Sequence, residues 1–76
     1  MRAEPTVPLQ PIDSASIAAI GYDPSAELLE VQFRSGRLYR YHAVSPATWR
    51  EFAAAPSKGQ HFNRAIRDRF TFVRLE

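Results

Sequence analysis

The chain has 76 residues, 45% hydrophobic and 12% aromatic, with no cysteine and a formal net charge of +2. That is one domain's length with enough apolar material for a core, and a stability of about 3–5 kcal/mol is expected at this size. Without cysteine there are no disulfides or thiolate metal sites, which fits a reducing compartment. No apolar run approaches the ~18 residues of a membrane-spanning helix, and the start of the chain lacks a signal peptide's apolar stretch, so a bacterial-type cytoplasmic location is expected.

Residues 1–13 carry Pro5, Pro8 and Pro11. Each proline removes a backbone donor and biases its predecessor toward extended geometry. The segment reads as an extended lead-in, with Val7, Leu9 and Ile12 touching the core, ahead of a single domain over residues 14–76. A spaced-proline ligand for an aromatic groove is the less favoured reading. Residues 16–22 read as a first strand, closed by the turn signal Tyr22, Asp23, Pro24, Ser25. Residues 28–33 alternate, with Leu29, Val31 and Phe33 on one face and Glu30 and Gln32 on the other, and form a second strand. Residues 37–44 form a third. A two-residue loop between the second and third would set Val31 opposite Arg40. A three-residue loop, with Gly36 left-handed, sets Val31 opposite Tyr39, Leu29 opposite Tyr41 and Glu30 opposite Arg40. The latter pairs apolar with aromatic side chains and opposite charges with each other, and is preferred.

Ser45 then caps a helix with Pro46 in its first turn, Val44 stapling onto Trp49, and Pro56 ending it. Ser57 and Gln60 make a capping-box pattern for a second helix, along which Phe62, Ala65, Ile66 and Phe70 form an apolar stripe. The tail from Phe70 to Leu75 alternates weakly and either adds a short edge strand or packs. The expected fold is α+β: a three-stranded antiparallel meander with two helices on one face.

Three sets of residues resemble the KTSC domain family: Tyr39, Arg40 and Tyr41 in mid-chain; Ile20, Gly21, Tyr22 and Asp23 upstream; and Ser57, Lys58, Gly59, Phe62, Asn63, Ile66 and Asp68 downstream. The resemblance spans roughly residues 14–75, and the Tyr-x-Tyr centre is intact. It implies a short domain found alone and at the C-terminus of some lysyl-tRNA synthetases. The family has no assigned activity, and its suggested RNA binding follows from that fusion.

Charge is divided unevenly. Up to Phe33, Arg2 stands against Glu4, Asp13, Asp23, Glu27 and Glu30, a net of −4; beyond it, nine Lys or Arg stand against Glu51, Asp68 and Glu76, a net of +6. Clustered cations attract polyanions. Lys58 and Gly59 in a helix's first turn suit an anion; otherwise Ser57 is an ordinary cap and Gly59 allows tight contact to the first helix. Arg64 and Arg67 are expected on one exposed helix face with Lys58 on the same flank. Arg34 and Arg37 are expected mobile at the hairpin tip. Tyr39 and Tyr41 are either a base-stacking platform or, as the preferred register requires, core side chains over Leu29 and Val31. His42 and His61 lack companion ligands and read as solvent-facing, so no metal, cofactor or catalytic residue is assigned. The expectation is a non-enzymatic binding module for tRNA-like or single-stranded RNA, acting through Lys58, Gly59, Arg64 and Arg67 with Arg34, Arg37, Tyr39 and Tyr41. The alternative is a protein-interaction or self-association module using an open sheet face near Leu28, Leu38 and Val44.

Overall fold

The structure, a computed structural model, describes residues 7–76. The first six residues of the proline-bearing lead-in lie outside the described residues. Five antiparallel strands follow one another across a single sheet: β1 (Gln10–Pro11), β2 (Ile17–Asp23), β3 (Leu28–Phe33), β4 (Leu38–Tyr41) and β5 (Phe72–Arg74). The expected three-stranded meander is therefore the centre of a five-stranded one. Pro11 is tolerated because β1 is an edge strand, where a missing N–H disrupts no ladder. The tail does add an edge strand, held by Tyr39 opposite Arg74 and Tyr41 opposite Phe72.

The β3–β4 register is the expected one: Leu29 faces Tyr41, Glu30 faces Arg40 and Val31 faces Tyr39. Gly36 carries it with φ 98°, the left-handed value of a three-residue loop. The third strand is shorter than expected. It ends at Tyr41, and Ala43 turns the chain at φ 59°, so that Val44 N–H donates to the Glu27 carbonyl oxygen at 2.9 Å. In β2 the register shifts between Ile17 and Ala19, a bulge that sends Ile17 and Ile20 to the same face although they are three apart.

One face of the sheet packs under the helices. Ile17, Ile20, Leu29, Val31, Tyr41, Val44, Phe52, Phe62 and Ile66 form this core. Helix α1 (Pro46–Ala54) starts as expected, Thr48 N–H donating to Ser45 Oγ at 3.2 Å with proline in the first turn. Trp49 stacks on Tyr22, ring centres 5.2 Å apart, and the Tyr22 hydroxyl donates to the Val44 carbonyl oxygen. The second helix departs from the continuous α-helix the apolar stripe suggested. Helix α2 (Lys58–His61), capped by Ser57 Oγ on Gln60 N–H, widens at once into a π-helical turn over Phe62–Ile66, in which Arg67 N–H donates to Phe62 oxygen at 2.9 Å. Phe62 and Ile66 are buried and Ala65 and Phe70 half-buried, so the stripe does face the core.

The opposite face is not the open surface expected. Glu30 is 0% exposed there, Leu38 is 2% exposed, and Val44 belongs to the core on the helix side. Residues 7–9 lie across this face against Gly21, the one position in its row without a side chain, and bury Val7. The Arg40 Nε donates to Glu30 Oε2 at 3.0 Å beside them.

Candidate nucleic-acid interface

Beyond the end of α1 the helix-side face of the sheet is not fully roofed, and a groove of about 680 Å³ opens between it and the π-helical turn. Its floor is aromatic because three strands and the turn each contribute rings to one face. Phe33 meets Tyr39 (centroids 5.7 Å apart), Tyr39 meets Phe72 (5.5 Å) and Phe72 meets Tyr41 (5.4 Å). Tyr41 meets Phe62 (5.5 Å), which returns to Phe33 (5.3 Å). The five rings form a closed circuit, mostly edge-to-face, which leaves ring faces and edges directed at the opening. Phe72 is 49% exposed, Tyr39 and Phe33 are half-buried, and Tyr41 is buried at 4%. Burial pushes the Tyr41 hydroxyl up to about 12, with its neighbour Tyr39 adding to the shift, so Tyr41 carries no phenolate charge at neutral pH.

The rim is polar. Arg34, Ser35 and Arg37 come from the β3–β4 loop, Asn63, Arg67 and Asp68 from the π-turn and its end, and Ser16 from the lead into β2. Three arginines against one aspartate make the mouth cationic. Arg37 and Arg67 are exposed. Arg34 is not the mobile group expected: its Nε donates to the Ser14 carbonyl oxygen at 2.6 Å and Nη2 to that of Ile12 at 3.2 Å, pinning the lead into β2.

Five of the eight residues singled out in the sequence, Arg34, Arg37, Tyr39, Tyr41 and Arg67, thus meet at one groove. The other three do not. Lys58 turns back to donate to the Ala55 carbonyl oxygen at 3.2 Å and borders a separate cleft with Trp49, Tyr22 and Gln10. Arg64 lines a third cleft with Glu51 and His61. The expectation that Lys58, Arg64 and Arg67 share a face fails because the π-turn takes more residues per revolution, so groups three apart diverge. A Cβ on Gly59 would lie 3.0 Å from Ser16 Oγ, so this glycine serves a close approach to the lead into β2 rather than to the first helix.

His61 also departs from expectation, stacking on Phe52 at 5.9 Å with a buried Nε2 that has no hydrogen-bond partner among the described residues. No group of three or more His, Cys, Asp or Glu among the described residues could hold a metal ion. No described helix is long and apolar enough to cross a membrane.

Sequence reasoning missed Phe33, Phe72 and Asn63 as groove residues. The available signal was register: Phe33 shares a face with Val31, and a tail strand antiparallel to β4 had to bring Phe72 near the Tyr-x-Tyr pair.

These features define a small α+β domain in which a helix pair covers one sheet face and leaves an aromatic groove beside it. Residues 13–70 match the KTSC domain family, and the chain belongs to that family. A KTSC domain protein from Yersinia pestis, known from its crystal structure, superposes with a TM-score of 0.89 at 35% identity, covering 93% of this chain and 100% of that one. An uncharacterised protein of Stutzerimonas stutzeri is 45% identical over 56 residues, 74% of this chain and 79% of the relative. A lysine–tRNA ligase of Nostoc punctiforme is 37% identical over 68 residues, which is 90% of this chain and 12% of the ligase.

Proposed function

We propose that this domain is a non-enzymatic module that binds single-stranded RNA, tRNA ends and loops included, in the bacterial cytoplasm, and that the aromatic groove is its binding site. The observation that carries the reading is the closed circuit of five rings under a rim of Arg34, Arg37 and Arg67. A floor of this kind stacks unpaired bases, worth about 1–3 kcal/mol per base, while the arginines meet phosphates. The volume lies within the roughly 300–1,000 Å³ of small-molecule sites, enough for one or two nucleotides. The likeness to a lysine–tRNA ligase supports an RNA partner without carrying the ligase's activity over.

Fluorescence anisotropy with a labelled single-stranded RNA at low salt tests the reading. Binding in the micromolar range is expected, weakened about tenfold or more by Arg37→Glu or Arg67→Glu and several-fold by Tyr39→Ala. Arg64→Glu, outside the groove, should change affinity less than about twofold. No complex at about 100 μM protein, or equal losses from Arg64→Glu and Arg67→Glu, would remove the proposal.

One observation favours a second reading, self-association: among the described residues the large hydrophobic side chains left exposed, Phe72 and Val73, are both on edge strand β5. A concentration-independent monomer in sedimentation would eliminate it.

A further inference from the structure

Among the described residues Asp68 is the one acid lining the groove, and a phosphate-binding rim has no use for it. Its carboxylate repels a nucleic-acid backbone, yet it shares the opening with Arg67, Asn63, Tyr39 and Phe72. Among the described residues the ion pair is Arg40 with Glu30, and Asp68 takes no part in any. It is exposed to solvent. Asp68 and Arg67 both line the groove whose floor includes Tyr41, and their charges act on its hydroxyl in opposite directions, Arg67 lowering its pKa and Asp68 raising it.

Resting on the RNA-binding reading, we infer that Asp68 is a base-reading residue that gives the groove a preference for guanine. A carboxylate accepts through two oxygens and donates nothing. The Watson–Crick edge of guanine is the base edge that offers two adjacent donors, the ring N1–H and the exocyclic amine. Both carboxylate oxygens are then satisfied at once. Cytosine and adenine offer an amine beside a ring acceptor, which repels the second oxygen. Uracil offers one imide N–H between two carbonyls. Asn63, in the π-turn that ends two residues before Asp68, lines the same groove and has an amide donor suited to guanine O6. Stacking on Tyr39 and Phe72 favours purines only modestly and does not separate guanine from adenine, so that discrimination has to come from these polar groups. The negative charge also works against non-specific phosphate binding, which sharpens the preference.

The test is anisotropy with four uridine-rich pentamers that carry G, A, C or U at the centre, on the full chain at fixed salt. The central-G oligomer should bind about tenfold more tightly than the central-U one, the usual discrimination of a good bidentate pair. Asp68→Asn and Asp68→Ala should abolish that ratio and, by removing a repelling charge, raise affinity for the all-uridine oligomer, with an unchanged thermal midpoint. A residue of merely structural role would not produce that gain. Equal affinity for all four centres, or a guanine preference that survives in both variants, overturns the inference and leaves RNA binding standing. Absence of binding by every oligomer overturns both.

Discussion

At Gly21 a Cβ would stand 2.6 Å from the Pro8 carbonyl oxygen, 2.7 Å from a Val7 methyl and 3.2 Å from a Leu9 methyl. The first neighbour is backbone and cannot rotate away, so Gly21→Ala should cost about 1–3 kcal/mol and lift residues 7–9 from the sheet. A lowered urea midpoint with a proteolytic cut near Val7 would show it; wild-type resistance would mean that this segment yields freely. Tyr41 acts on the other face. Its folded pKa, raised from 10.0 to about 12 by burial, means the unfolded chain gives up this proton first. A raised pKa contributes stability that is complete below 10 and is lost as pH climbs toward 12, the opposite of a depressed carboxylate. Urea midpoints measured from pH 9 to 11.5 should therefore fall more steeply for the wild type than for Tyr41→Phe. Parallel curves for the two proteins would show that the phenol is not protected by the fold.

At the scale of elements, what the sequence made legible follows from strong local rules. The β3–β4 register could be read because one slip would have set Arg40 against Val31 and turned apolar side chains to the wrong face. Helix α1 could be read because Ser45, Pro46 and Pro56 mark both ends. Ser45→Ala should accordingly lower stability by about 1 kcal/mol, read from thermal or urea melts, because Thr48 N–H loses its acceptor. A change within a few tenths would show that Thr48 finds water as readily. The π-turn was not legible, since the stripe Phe62, Ala65, Ile66, Phe70 satisfies α-helical spacing equally well. What selects the wider turn is tertiary: Phe62 has to reach Phe33 and Tyr41 while Ile66 stays buried in the core. The bulge in β2 was hidden in the same way, its only trace being Ile17 and Ile20 at an odd spacing. Both irregularities border the groove, one through Phe62 and Asn63 and the other through Ser16. Local rules are broken where core side chains and the groove beside them are shaped together.

For the whole molecule, the charge division of the sequence does not become two hemispheres. β3 and β4 pair, so acidic Glu30 meets basic Arg40; of the other cations beyond Phe33, Arg34, Arg37 and Arg67 line the groove, Arg64 and Lys58 border two separate clefts, and Arg50, Arg69 and Arg74 line none of the three. A sum over half a chain ignores this, because antiparallel pairing interleaves the halves. Under the proposed RNA-binding reading, the electrostatic part therefore rests on Arg34, Arg37 and Arg67 and not on nine basic residues. Three phosphate contacts to a single strand predict a slope of about −2 for log affinity against log salt, where a continuous basic surface would give a far steeper one. The proposed stacking floor also predicts the partner's form. A base has to leave its stack to reach the rings, so a duplex of the same sequence offers only its phosphates and should bind at least about tenfold more weakly. Stacking and charge separate cleanly in the mutants. Arg67→Gln should bring the slope about 0.7 closer to zero, whereas Tyr39→Ala should weaken binding at every salt concentration and leave the slope where it was.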